Sequence, residues 1–158
     1  MTERNVASPG EETGTTAAIP VLLIGFRNAP SRRLRSILAA PLWEIREAPT
    51  CGQAARMLAG GHVGVAICDI ESGGDQWRSL LAELEESADA PNLIISSRLA
   101  DERLWAEVLN LGGYDLLVEP FDQTEVLRVT HMAWEAWRAR CRGLGPQPNG
   151  SLRMRAAS

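Results

Sequence analysis

A chain of 158 residues with 45% apolar side chains can bury one core and is too short for two ordinary domains. Its formal charge of -4 gives nucleic acid no electrostatic reason to bind the whole molecule, and no apolar run reaches membrane-spanning length. All 16 basic residues are arginine, so chemistry that needs a lysine is excluded. The first residues, MTERNVASPGEETGTT, lack the basic start and apolar centre of a secretory signal, and the three cysteines form no CxxC pair. A cytoplasmic protein with reduced thiols is expected, with Cys68 a small core residue and Cys51 and Cys141 far from it in sequence.

Residues 1–18 carry few large apolar groups and are expected to be disordered, ahead of a domain at 19–142. Ile19 to Phe26, IPVLLIGF, reads as a first strand, with Pro20 tolerable near its start. Ser31 can cap a helix carrying Leu34, Ile37 and Leu38, which stops near Pro41. Trp43 to Ala48 alternates apolar and charged residues as a strand at or near a sheet edge would. Thr50 can cap a second helix ended by Gly60 and Gly61.

Val63 to Asp69 is an apolar run of buried-strand type that stops at a carboxylate, and a loop of Ser72, Gly73, Gly74 and Asp75 follows. A third helix then runs from about Gln76 to Glu86, a fourth strand over Leu93 to Ser97, and a fourth helix from Asp101 to Leu111. Asp115 to Val118 makes a fifth strand and Gln123 to Arg142 a fifth helix, before a loose tail at 143–158 too short to fold an output domain. Strand and helix thus alternate five times, which predicts a doubly wound, five-stranded parallel α/β sheet with helices on both faces.

In such a sheet, ligands gather at the carboxyl ends of the strands. Those ends carry Gly25, Phe26 and Arg27, then Asp69, then Ser96 and Ser97, then Glu119 and Pro120. Taken alone, Asp69 is better served by capping the next turn or helix, and the rest of the chain is what argues otherwise. The pattern as a whole resembles the receiver domain of two-component response regulators, over roughly residues 20 to 142. Its most specific piece is LNLGGYDLLVEPFD, from Leu109 to Asp122. The resemblance implies a flavodoxin-like fold, a phosphoacceptor position at Asp69 and a phosphoryl-sensing position at Ser96.

The departures from that family are chemical. Its acidic pair, which holds Mg²⁺, is replaced by Gly25 and Phe26, its conserved-type lysine by Glu119, and its aromatic switch position by Leu116, with Tyr114 out of register. Mg²⁺ wants carboxylate oxygens and a transferring phosphoryl group wants cations, so both functions should be crippled. Two carboxylates about 4 Å apart repel by roughly 4 kcal/mol at an effective dielectric near 20. Asp69 and Glu119 are therefore expected to reject phosphate, and to pair with Arg27, share a proton or splay toward water, a solvated Arg27 being the simpler alternative.

Other signals are weaker. GFRNAPS lacks the ending of a phosphate loop, His62 and His131 stand apart from any metal-ligand spacing, and Ser96 and Ser97 lack a histidine partner. Trp105, Trp134 and Trp137 are either core-edge aromatics or a recognition surface, and the resemblance favours the face between the fourth and fifth helices as the place where a protein partner or homodimer mate is met. Arg138, Arg140 and Arg142, with Arg153 and Arg155, suggest a nucleic-acid patch less well than they suggest a helix end with its dipole complemented. The expectation is a stand-alone, non-enzymatic, degenerate receiver acting by protein contact without a cofactor. The alternatives are a receiver phosphorylated on Asp69 with Mg²⁺ by a sensor kinase, and a flavodoxin-like ligand-binding domain.

Overall fold

The computed structural model describes residues 18–143 apart from 40, 74 and 100. The expected tails, 1–18 and 143–158, lie outside the described residues except for residues 18 and 143, and Arg153 and Arg155 lie outside them too. Five strands, β1 (Ile19–Ile24), β2 (Trp43–Ala48), β3 (Val65–Asp69), β4 (Asn92–Ser97) and β5 (Asp115–Val118), pair in parallel in the order β2-β1-β3-β4-β5. The alternating WEIREA segment is an edge strand, as its one wet side requires. Five helices connect and cover the sheet: α1 (Asn28–Ile37), α2 (Cys51–Ala59), α3 (Gln76–Leu84), α4 (Glu102–Asn110) and α5 (Gln123–Cys141). A single helical turn, Ile70–Gly73, occupies part of the stretch expected to be a loop.

Side-chain alternation along each strand divides the core in two. Val21, Leu23, Val65, Ile67, Ile94 and Leu117 pack toward α1 and α5, against Leu34, Leu38, Val126 and Val129. Leu22, Ile24, Ala66, Cys68, Leu93, Ile95 and Leu116 pack toward α2, α3 and α4, against Ala54, Leu58, Trp77, Leu80 and Val108. Runs that are apolar on both faces are what a sheet covered on both sides demands.

Helix starts follow capping chemistry in three cases. The side chains of Thr50, Asp101 and Asp122 accept the backbone N–H of Gln53, Leu104 and Glu125 at 3.1, 2.9 and 2.9 Å. Ser31 does not cap: α1 begins three residues earlier at Asn28, with Arg27 as an extended N-cap residue, and Ser31 is buried inside the helix. The cause lies at Gly25, whose φ of 78° ends β1 two residues short of Phe26 and turns the chain early. No helix among the described residues is long and apolar enough to cross a membrane.

Candidate functional site

The carboxyl edge of the central strands holds a cluster of carboxylates. Asp69 closes β3 at 8% exposure and lies in register with Ser96 on β4. Glu119, 9% exposed, follows β5 and precedes a cis peptide bond to Pro120. The Ser96 hydroxyl reaches its Oε2 at a long 3.5 Å. The sequence reading and the fold therefore agree in bringing Asp69, Ser96 and Glu119 to one corner.

The fold adds two residues that sequence reasoning missed. Directly after β3 the chain turns, the Glu71 N–H donates to Asp69 Oδ1 at 3.1 Å, and Glu71 faces the end of β4. There it accepts from Ser97 Oγ and the Arg98 N–H, both at 3.0 Å, and from Arg98 Nη2 at 3.3 Å. Ser97 Oγ in turn accepts the Leu99 N–H at 3.0 Å. This clasp ties the turn after β3 to the turn after β4, and Arg98 is its cation.

The electrostatics follow from that arrangement. Burial foremost, then the Asp69 and Glu71 charges, push the Glu119 carboxyl above its ordinary range, against the pull of Arg98 and of the Ser96 hydroxyl. Glu71 moves the other way: the Arg98 N–H foremost, helped by the Ser97 hydroxyl and the guanidinium, holds it below its ordinary range. The two acids are thus shifted in opposite directions by their surroundings.

Arg27 is exposed and, among the described residues, joins neither carboxylate. The expected Arg27 pair is therefore corrected to Arg98 with Glu71, and the physical reason is the early turn at Gly25, which makes Arg27 the N-cap of α1. Gly25 spends its N–H on Ala48 O at 2.9 Å, and Phe26 packs edge-on against Phe121 with ring centroids 6.1 Å apart. No group of three His, Cys, Asp or Glu among the described residues is arranged to hold a metal.

Beside the acids lies a cleft of about 440 Å³ lined by Ala29, Pro30, Arg33, Arg98, Glu119, Pro120 and Phe121. Arg33 borders it with Nε and Nη2 both 3.4 Å from Phe121 O.

The three tryptophans do not form one patch. Trp105 packs on the α2–α4 side of the sheet with Nε1 3.4 Å from Asp115 Oδ1, whereas Trp134 packs on the α1–α5 side under the Arg138 guanidinium at 4.6 Å. Trp137 covers Gly64 and donates Nε1 to Asp89 O at 3.0 Å. All three are half-buried. Arg140 is likewise committed inward, to Asn92 Oδ1 at 3.2 Å and to Ala90 O. His62 is exposed, and exposed His131 meets Glu135 at 3.7 Å.

No protein-family model and no curated protein matches the chain. Solved structures do. It is similar to the signal receiver domain of an HD domain-containing protein from Pseudomonas fluorescens Pf-5, at 24% identity and a TM-score of 0.67, over 77% of this chain and 98% of that one. Similar too are the Francisella response regulator 1452 receiver domain (19%, TM-score 0.65, covering 74% and 97%) and a CheY-like response regulator receiver domain protein from Methanospirillum hungatei JF-1 (16%, 0.66, covering 77% and 98%). This is the receiver fold. Within it Asp69 ends the central strand of the sheet, and Glu119 directly follows the edge strand β5, beyond Ser96 on β4.

Proposed function

We propose that the chain is a degenerate receiver, a signalling module of the cytoplasm that works by protein contact and takes no phosphoryl group at Asp69 by the Mg²⁺-dependent route. The observation that carries this reading is Glu119, a buried carboxylate whose proton affinity is raised partly by Asp69 itself. Phosphoryl transfer needs positive charge around the equatorial oxygens, and a third or fourth negative charge in this corner raises the barrier instead. Phe26, held on Phe121, gives a metal nothing to bind. The contact surface would be the face between α4 and α5. There β5 is a sheet edge with Val118 at 53% exposure, and Leu111 is exposed at 37% just past α4. A partner protein or a second copy of the chain would cover it.

The test is intact mass after incubation with acetyl phosphate and Mg²⁺, beside an ordinary receiver labelled in parallel and the Asp69→Asn variant. The expected result is no increment. A phosphate-sized increment in the unaltered chain, absent from Asp69→Asn, would overturn the reading in favour of a receiver phosphorylated by a sensor kinase. The cleft of about 440 Å³ favours a second reading, a ligand-binding domain, since its volume lies in the range of small-molecule sites. A compound released on denaturing the purified protein would bring that reading forward.

A further inference from the structure

Cys51 and Cys68 are far apart in the chain and in contact in the fold. Cys51 is the first residue of α2, directly after its N-cap Thr50. Cys68 is the penultimate residue of β3, paired with Ile24 on one side and Ile95 on the other. Because α2 packs on the face of the sheet that Cys68 supplies, the sulfurs come to 3.9 Å. Both thiols are free, at 8% and 2% exposure, whereas Cys141 is free and exposed.

Two features distinguish this pair from ordinary core thiols. Cys51 is not sealed in: with Gly52, Ala55, Gln76, Ser79, Leu80 and Glu83 it lines a surface cleft of about 280 Å³ between α2 and α3. Cys68 does not line that cleft. The pair is also polarised. Cys51 sits at a helix N-terminus, where backbone dipoles favour negative charge. The hydrogen bond shared between the two sulfurs pulls the Cys51 thiol below its ordinary range, while the same bond and burial push Cys68 up.

We propose that Cys51 and Cys68 are a peroxide-responsive dithiol, with Cys51 the attacking thiol and Cys68 the resolving one, closing a reversible disulfide between α2 and β3. The Cys51 thiolate attacks one oxygen of a hydroperoxide, the O–O bond breaks, and the leaving oxygen takes a proton and departs as water or alcohol. Cys51 is then a sulfenic acid. The Cys68 sulfur gives up its proton and attacks the Cys51 sulfur, and the S–O bond breaks with loss of water. Two thiols are oxidised and one peroxide is reduced. The sulfurs must close from 3.9 Å to a bond of about 2.0 Å, a movement on the scale of a side-chain rotation. The bond would fix the start of α2 to β3 one residue before Asp69, so that the acid corner and the dithiol share one strand.

The experiment uses the full chain with Cys141→Ser, treated with hydrogen peroxide, quenched, denatured, alkylated and weighed. The expected product has lost two hydrogen atoms, resists alkylation at both positions, and returns to its starting mass with a dithiol reductant. Trypsin, cutting after Arg46, Arg56 and Arg78, should release peptides 47–56 and 57–78 joined. Oxidation should be at least about tenfold faster in the folded protein than in urea, because only the fold lowers the Cys51 thiol and aligns the pair. Adding Cys68→Ser should stop the reaction at a sulfenic acid trapped by a 1,3-dione. Two results would overturn the proposal: both thiols still open to alkylation after the folded chain has met peroxide, or a rate in urea equal to or above the folded rate. Neither depends on a variant of Cys51 or Cys68 folding.

Discussion

Replacing Glu119 with glutamine removes one charge from the acid corner at nearly constant shape. Glu119 is 9% exposed, Asp69 and Glu71 act on it with the same sign, and Arg98 opposes them. A pair of full charges about 4 Å apart is worth roughly 4 kcal/mol at an effective dielectric near 20, which sets the scale of the gain. Arg98 offsets part of that, which leaves a net gain of about 1–2 kcal/mol for Glu119→Gln at pH 8.

The pH dependence carries the argument. Folded Glu119 holds its proton to higher pH than the unfolded chain does. The stabilising effect of that bound proton is complete below the unfolded carboxylate range and is lost as pH rises through the raised folded value. Glutamine has no such loss. Thermal melts of the two proteins should therefore lie close together near pH 4 and separate as pH rises, with the variant higher by at least about 3 °C at pH 8. A variant no more stable than the wild type at pH 8, or an offset that does not change with pH, would refute the electrostatic account of this corner.

Glu71→Gln should act oppositely. It weakens a clasp of three hydrogen bonds, one of which is also the ion pair with Arg98, at a cost of about 0.5–1 kcal/mol at pH 7 because solvent screens the pair. Because the folded Glu71 carboxyl is lowered, that contribution is present above the unfolded carboxylate range and fades as pH falls through the folded value, so urea unfolding at pH 7 and in acid should show the cost shrinking. Gly64→Ala would set a Cβ 2.5 Å from Cε3 of Trp137, and should cost about 1–3 kcal/mol with a red shift of tryptophan emission as the ring is displaced. Arg27→Ala should leave stability within about 0.5 kcal/mol of wild type, and a larger loss in denaturant titration would return Arg27 to the acid corner.

What was legible in the sequence was whatever leaves a periodic or terminal mark. The double-sided apolar runs gave the parallel sheet, WEIREA gave its wet edge, and the run that stops at Asp69 put a carboxylate at the edge where ligands gather. Thr50 was readable as a cap because the helix that needs it begins at once. Arg98 and Glu71 carry no such mark. Their contact spans 27 positions and joins two turns, and turns have no period from which direction can be read. A search two residues beyond each strand end would have found Glu71, because a carboxyl edge is built as much from the turns as from the strands. The two readings of Arg27 are separated for a related reason: one glycine at φ 78° sets where β1 ends, and so whether the following arginine pairs with the acids or stays in solvent as the N-cap residue of a helix.

The same logic explains why the cysteine pair was invisible and why it matters. Cys68 was read correctly as a core residue from its apolar run, yet core residues acquire chemistry only from what is laid over them. Here the overlay is the first residue of α2, brought there by the βα crossover rather than by any spacing between cysteines. Asp69 and Cys68 are neighbours on β3 with side chains on opposite faces of the pleat, so the strand presents a carboxylate to one environment and a thiol to another. The acid corner responds to protons, through Glu119, and the dithiol would respond to oxidants. Both responses converge on the end of one strand, β3, at the carboxyl edge of the sheet where the open α/β fold gathers its ligands.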